Sequence, residues 1–112
     1  PTVLTDITPE MDVYHAEVFG PVAMVYRYSD LDEALRIAND TRFGLSGSVW
    51  GTDPEEAARV ADRIEAGMVY VNEHGTTRAG LPFGGVKASG YGRELGRWGM
   101  GEFVNTKLRR VR

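Results

Sequence analysis

Between residues 22 and 71 the sequence switches back and forth between strand and helix periodicity, and this alternation limits the possible folds more than any other feature. Val22-Ala-Met-Val-Tyr-Arg-Tyr28 is β-branched and aromatic, the composition of a strand. Ser29 and Asp30 then offer N-cap oxygens, and Leu31, Ala34, Leu35 and Ala38 fall on one helical face. Gly44 ends that unit, and Leu45 to Trp50 reads as a second strand. Asp53-Pro54-Glu55-Glu56 is a strong helix start: a capping carboxylate, proline at the first helical position, and acids where the helix dipole favours them. Ala57, Val60, Ala61 and Ile64 carry the apolar stripe, and Gly67 closes it. Met68-Val-Tyr-Val71 follows as a short apolar run, suited to a strand covered on both faces.

Strands and helices in alternation, joined by short connections, predict an α/β fold with a mostly parallel open sheet and right-handed crossovers. Beyond Asn72 the regular pattern stops. Residues 81–96, LPFGGVKASGYGRELG, hold five of the chain's 14 glycines and lead into a short helix expected near Arg93 to Trp98. A final strand is expected over Glu102 to Val111, where Val104, Thr106 and Leu108 alternate with Phe103, Asn105 and Lys107.

The glycines do not form a phosphate cradle. In Gly90-Tyr-Gly92-Arg-Glu-Leu-Gly96 the third glycine falls one position late for the dinucleotide fingerprint, and Gly85-Val86-Lys87 lacks the adjacent Gly-Lys-Ser/Thr of a P-loop. The remaining reading is conformational: glycine admits positive φ and lets two backbone segments approach closely.

Composition narrows the functional classes. The chain has 112 residues, enough for one domain, and no window nears the roughly 18 consecutive apolar residues of a membrane span. There is no cysteine, so disulfides, thiolate metal sites and a cysteine nucleophile are excluded within it. His15 and His74 have no companion at metal-ligand spacing, and no metal is expected. The net charge of -3 conceals a polarity: residues 1–66 hold 13 acids against 5 bases, residues 67–112 hold 3 against 8. The basic tail is read as a strand edge kept soluble by charge, and neither nucleic acid nor membrane is expected as a partner. Pro1-Thr-Val-Leu resembles neither a signal peptide nor a natural start, which leads to the expectation of a longer parent protein.

Four segments then carry a resemblance: Glu17-Val-Phe19-Gly20-Pro21, Asn39-Asp-Thr-Arg-Phe-Gly44-Leu45, Gly67-Met-Val-Tyr-Val-Asn72, and Pro82-Phe83-Gly84-Gly85-Val-Lys87-Ala-Ser89-Gly90-Tyr-Gly92-Arg93-Glu94. In this order and spacing they resemble the C-terminal quarter of an aldehyde dehydrogenase, with a flavour similar to the bacterial succinate-semialdehyde dehydrogenases. The resemblance implies the C-terminal part of the catalytic domain over residues 1–101 and an oligomerisation strand over 102–112. It further implies a cytoplasmic homo-oligomer, dimer or tetramer, that binds NAD or NADP. Such an enzyme oxidises an aldehyde, here succinate semialdehyde, through a cysteine thiolate and a water-activating glutamate. In the family both of those catalytic groups lie upstream of the matched stretch, so no catalytic residue is assigned here, and the chain alone is expected to be inactive. A non-catalytic assembly module derived from the same family is the alternative.

By the same resemblance Glu17 corresponds to a carboxylate that accepts hydrogen bonds from the nicotinamide ribose, and Phe19 to an aromatic beside the nicotinamide ring. Without it, Glu17 would be a surface acid and Phe19 a core residue. Substrate contacts are implied for Phe83 at the aldehyde pocket, with a loop anchor as the alternative, and for Thr77, where the succinate-semialdehyde enzymes carry a serine that holds the substrate carboxylate. Arg78 beside it is a candidate for a charge-assisted bond to that carboxylate, with a solvent-facing arginine as the alternative. The charges of Lys87, Arg93 and Glu94 are expected to tie the glycine-rich loop down.

Overall fold

The computed structural model describes all residues, Pro1–Arg112, and divides into two compact units, Pro1–Arg42 and Phe43–Arg112. In the first unit, strand β1 (Thr2–Leu4) pairs in parallel with β2 (Val22–Met24), in the register Thr2↔Val22 to Leu4↔Met24. Between them lies one short 3-10 turn at Asp12–His15. Helix α1 (Leu31–Asn39) follows β2 and starts where the capping residues predict. Asp30 accepts from the Glu33 N–H at 2.8 Å, while the Glu33 carboxylate reaches back to the Ser29 N–H and hydroxyl, each at 2.7 Å. This reciprocal arrangement satisfies amides that the first helical turn would otherwise leave unpaired. Leu35 and Tyr14 are the buried apolar side chains of this unit.

In the second unit, β3 (Phe43–Gly44) and β4 (Ser46–Val49) are separated by Leu45 alone. β4 pairs in parallel with β5 (Met68–Val71), in the register Ser46↔Met68 to Val49↔Val71, and α2 (Pro54–Ala61) makes the crossover. Asp53 caps α2, accepting from the Glu55 and Glu56 amides at 2.9 and 3.3 Å. Ala57 on its inner face is buried, and all four residues of β5 are half-buried. β3 pairs antiparallel with β6 (Val86–Lys87), and α3 (Gly96–Glu102) is the last regular element. No helix is long and apolar enough to cross a membrane.

Three expectations are corrected. Strands pair in three separate two-stranded ladders, two parallel and one antiparallel, rather than in one mostly parallel open sheet. Periodicity identifies a strand but carries no information about its partner. The last helix begins at Gly96 instead of Arg93, because Glu94 is held extended by reciprocal backbone bonds with Phe83 at 2.7 and 2.9 Å. Leu95 then turns the chain at φ 67°, ψ 160°, a region that costs any residue but glycine. Finally, the strand expected over Glu102–Val111 does not form: α3 runs through Glu102, and residues 104–112 carry no regular structure and are exposed. A strand is stabilised by its ladder, and this segment has no partner within the chain.

Candidate functional site

The first set of candidate residues lies on the segment between the 3-10 turn and β2. Ala16 leaves the turn in an extended conformation, φ -84° and ψ 140°, and the chain runs without regular structure through Glu17, Val18 and Phe19. Bonds from Thr2 N–H to the Pro21 carbonyl and from Val22 N–H to the Gly20 carbonyl bring it into β2. Glu17 is exposed, and the ring of Phe19 is 95% exposed. The bare-sequence reading of Phe19 as core is therefore wrong for this chain. A solvated carboxylate and an uncovered aromatic face, two positions apart in the chain, suit a vicinal diol and a planar ring respectively. A cleft of about 370 Å³ in the same unit is lined by Thr8, Tyr14, Tyr26, Arg27, Glu33 and Arg36, among others, and contains neither candidate.

The second set lies on the loop after β5. Asn72 adopts φ 52°, a left-handed conformation asparagine tolerates, and turns the chain out of the ladder. Its carboxamide clasps Gly51: Oδ1 accepts from the Gly51 N–H and Nδ2 donates to the Gly51 carbonyl, each at 2.9 Å. His74 lies against Trp50, ring centroids 5.2 Å apart, so it is a packing residue in this loop. Thr77 and Arg78 are exposed, and Arg78 Nη2 donates to Glu73 Oε1 at 2.7 Å. Phe83 is half-buried, with its backbone fixed against Glu94. Asn72 and Glu73 are the residues sequence reasoning missed. A five-residue separation matches neither helix nor strand spacing, so no pattern flags the Glu73–Arg78 pair.

The glycine-rich loop supports this second set. Arg93 Nη1 donates to the carbonyls of Gly85, at 2.9 Å, and Gly92, at 2.6 Å, and Lys87 forms a 2.8 Å ion pair with Glu65. The Ser89 hydroxyl accepts from the Gly44 N–H at 3.0 Å. Lys87 thus ties the loop to the segment after α2 as expected, whereas the Arg93 guanidinium braces the loop internally and Glu94 contributes through its backbone. Gly85 is buried, and a side-chain carbon there would lie 2.6 Å from the Ser89 Cβ. No residue larger than glycine fits that position without displacing its neighbours.

The sequence model of the aldehyde dehydrogenase family matches residues 1–108. The chain belongs to the aldehyde dehydrogenase family. Among its relatives in that family is a succinate-semialdehyde dehydrogenase [NADP(+)] of Deinococcus radiodurans, 56% identical over 111 residues, 99% of this chain. Another, from Mycobacterium ulcerans, is 54% identical over 107 residues, 96% of the chain. The chain spans 23% of the length of each. Among solved structures, the succinic semialdehyde dehydrogenase of Streptococcus pyogenes in complex with NADP+ superimposes with a TM-score of 0.92 at 41% identity, over 97% of this chain and 24% of that one. The betaine aldehyde dehydrogenase of Staphylococcus aureus in complex with NAD+ gives 0.85 at 40% identity, over 90% of this chain and 20% of that one. The backbone of this chain therefore follows that of the corresponding portion of each of these structures.

Proposed function

We propose that this chain contributes cofactor and substrate contacts to an enzyme that oxidises succinate semialdehyde to the dicarboxylate with NADP or NAD. The observation that carries this reading is the identity of more than half its residues with a succinate-semialdehyde dehydrogenase across 99% of the chain. The cofactor, when bound, accepts the hydride. Glu17 holds its ribose hydroxyls through an ionised carboxylate, and Phe19 covers one face of the nicotinamide ring. Their exposure supports these roles, since neither is engaged in packing within the chain. Thr77 and Arg78 receive the distal carboxylate of the substrate, and Phe83 lines the path of the aldehyde.

The nucleophile comes from outside these residues, because the reaction needs a thiolate and the chain has no cysteine. The general-base glutamate is assigned to the same outside portion. Residues 103–112, beyond the end of α3 and without regular structure of their own, add as an edge strand to a second copy, giving a cytoplasmic homodimer or tetramer. The exposure of Phe103 at 91% and Leu108 at 90% supports that role, as both need cover. The lack of cysteine also suits a purely structural assembly module.

Formation of reduced nicotinamide by the intact enzyme, with succinate semialdehyde as substrate, tests the assignment. Glu17→Gln is expected to raise KM for the cofactor by about tenfold, in line with loss of a charge-assisted bond. An intact enzyme that turns over no aldehyde would favour the assembly module. Turnover by the isolated cysteine-free chain would refute the assigned mechanism.

A further inference from the structure

The loop that leaves β5 is anchored at both ends, and an ion pair inside it restrains one guanidinium. At its start Asn72 clasps Gly51 and His74 lies against Trp50. At its end the Leu81 N–H donates to the Arg78 carbonyl at 3.0 Å, and the Gly96 N–H donates to the Ala79 carbonyl at 2.9 Å. Between these anchors the chain folds back so that Glu73 meets Arg78 at 2.7 Å. The two side chains are 49% and 62% exposed, so solvent screens their attraction and the pair adds little to stability. What it removes is rotamer freedom: arginine has one of the most flexible side chains, and here both its backbone and one terminal nitrogen are fixed. Only Nη2 is engaged, so the guanidinium keeps further N–H donors for an incoming carboxylate. Thr77 places a hydroxyl at the adjacent position.

We propose that Glu73 is a positioning residue that sets the enzyme's preference for aldehydes bearing a distal carboxylate, by holding Arg78 so that the remaining edge of its guanidinium receives that anion. This rests on the aldehyde-oxidising function proposed above and assigns part of its substrate selectivity to one ion pair. The opposite role for Glu73, as a competitor that neutralises Arg78 and weakens anion binding, predicts effects of the opposite sign.

The decisive quantity is the ratio of kcat/KM for succinate semialdehyde to that for butanal, an uncharged aldehyde of the same chain length, measured on the intact enzyme. Glu73→Ala should lower this ratio by about three- to tenfold, chiefly through KM for the anionic aldehyde. Glu73→Gln, which keeps an acceptor oxygen at the same reach, should recover most of the loss. Arg78→Met should lower the ratio at least as far, and adding Glu73→Ala to it should lower it no further, because the two act as one unit. If Glu73→Ala slows both aldehydes in parallel and leaves the ratio unchanged, Glu73 is only structural and the proposal fails. A ratio that rises in Glu73→Ala or Glu73→Gln identifies the competitor role and also overturns it. An unmodified enzyme that oxidises neither aldehyde removes the underlying functional reading, and with it the proposal.

Discussion

The backbone of Gly67 lies so close to that of Gly84 that no side-chain carbon fits between them: a Cβ on Gly67 would overlap the Gly84 carbonyl oxygen and come within 2.7 Å of the Gly85 Cα. Gly67 closes the α2 connection just before β5, and Gly84 begins the glycine-rich loop, so this contact seats the loop against the ladder.

Gly67→Ala is therefore expected to destabilise the protein by more than about 3 kcal/mol, since the clash is with backbone that cannot rotate away. Gly20→Ala is the matched control: nothing lies within 4 Å of an added Cβ there. Its effect should stay within about 0.5 kcal/mol. Urea unfolding midpoints and soluble yield distinguish the two.

Asn72 does two things, turning the chain at φ 52° and clasping Gly51 with its side chain. Asn72→Gly preserves the turn and deletes the clasp, and should cost about 1–3 kcal/mol, the range for two lost hydrogen bonds at a partly solvated site. Asn72→Ala adds backbone strain and should cost roughly 1 kcal/mol more. Equal unfolding midpoints for the two variants would show that the turn carries no strain.

The cap of α1 is pH-sensitive. Hydrogen bonds from the Ser29 hydroxyl and N–H hold the Glu33 carboxyl below the ordinary carboxylate range, with Arg36 adding to the effect. A depressed folded-state pKa means that the stabilisation is complete above the ordinary carboxylate pKa. It is lost as the pH falls through the lower folded-state value. Denaturant midpoints followed on acidification should show this loss in the wild type, and Glu33→Gln should flatten that part of the profile.

Tyr14 is buried, 8% exposed, and its hydroxyl has no hydrogen-bond partner. Burial pushes its phenol pKa up; the neighbouring Asp40 carboxylate adds to the shift without reaching hydrogen-bond geometry. A buried hydroxyl left unpaired is a cost that phenylalanine avoids, and the ring's edge-on contacts with His15 and Tyr26 survive the change. Tyr14→Phe should be neutral or stabilising by up to about 1 kcal/mol, read from the thermal midpoint. A clear loss of stability would mean that the hydroxyl is bonded in solution.

Both capped helices, and strands β4 and β5, are legible from residue pattern, because caps, stripes and β-branched runs act within a few positions of one another, whereas of the apolar run Val22–Tyr28 only Val22–Met24 forms β2. Asp30, Asp53 and Pro54 each act on amides of the next turn, so their effect is written locally. The short strands β1, β3 and β6 are not legible. Two or three residues make no periodic pattern, and each is a strand only because a distant segment lies beside it. The candidate cofactor and substrate positions are recognisable through the family motifs, whereas Glu73 is not, since a bent loop alone brings it to Arg78.

The sequence by itself determined where α1 and α2 begin, which segments favour extended backbone, that no thiolate chemistry resides in these residues, and which family the motifs resemble. All of these follow from local interactions or from the inventory of side chains. Only the tertiary structure decided which strands pair and in which direction, where α3 starts, that Phe19 faces solvent, and that the glycine-rich loop is braced by Arg93 and pinned by Lys87. Those features depend on groups far apart in the chain, whose approach is set by the packing of the whole unit and not by any neighbourhood of residues.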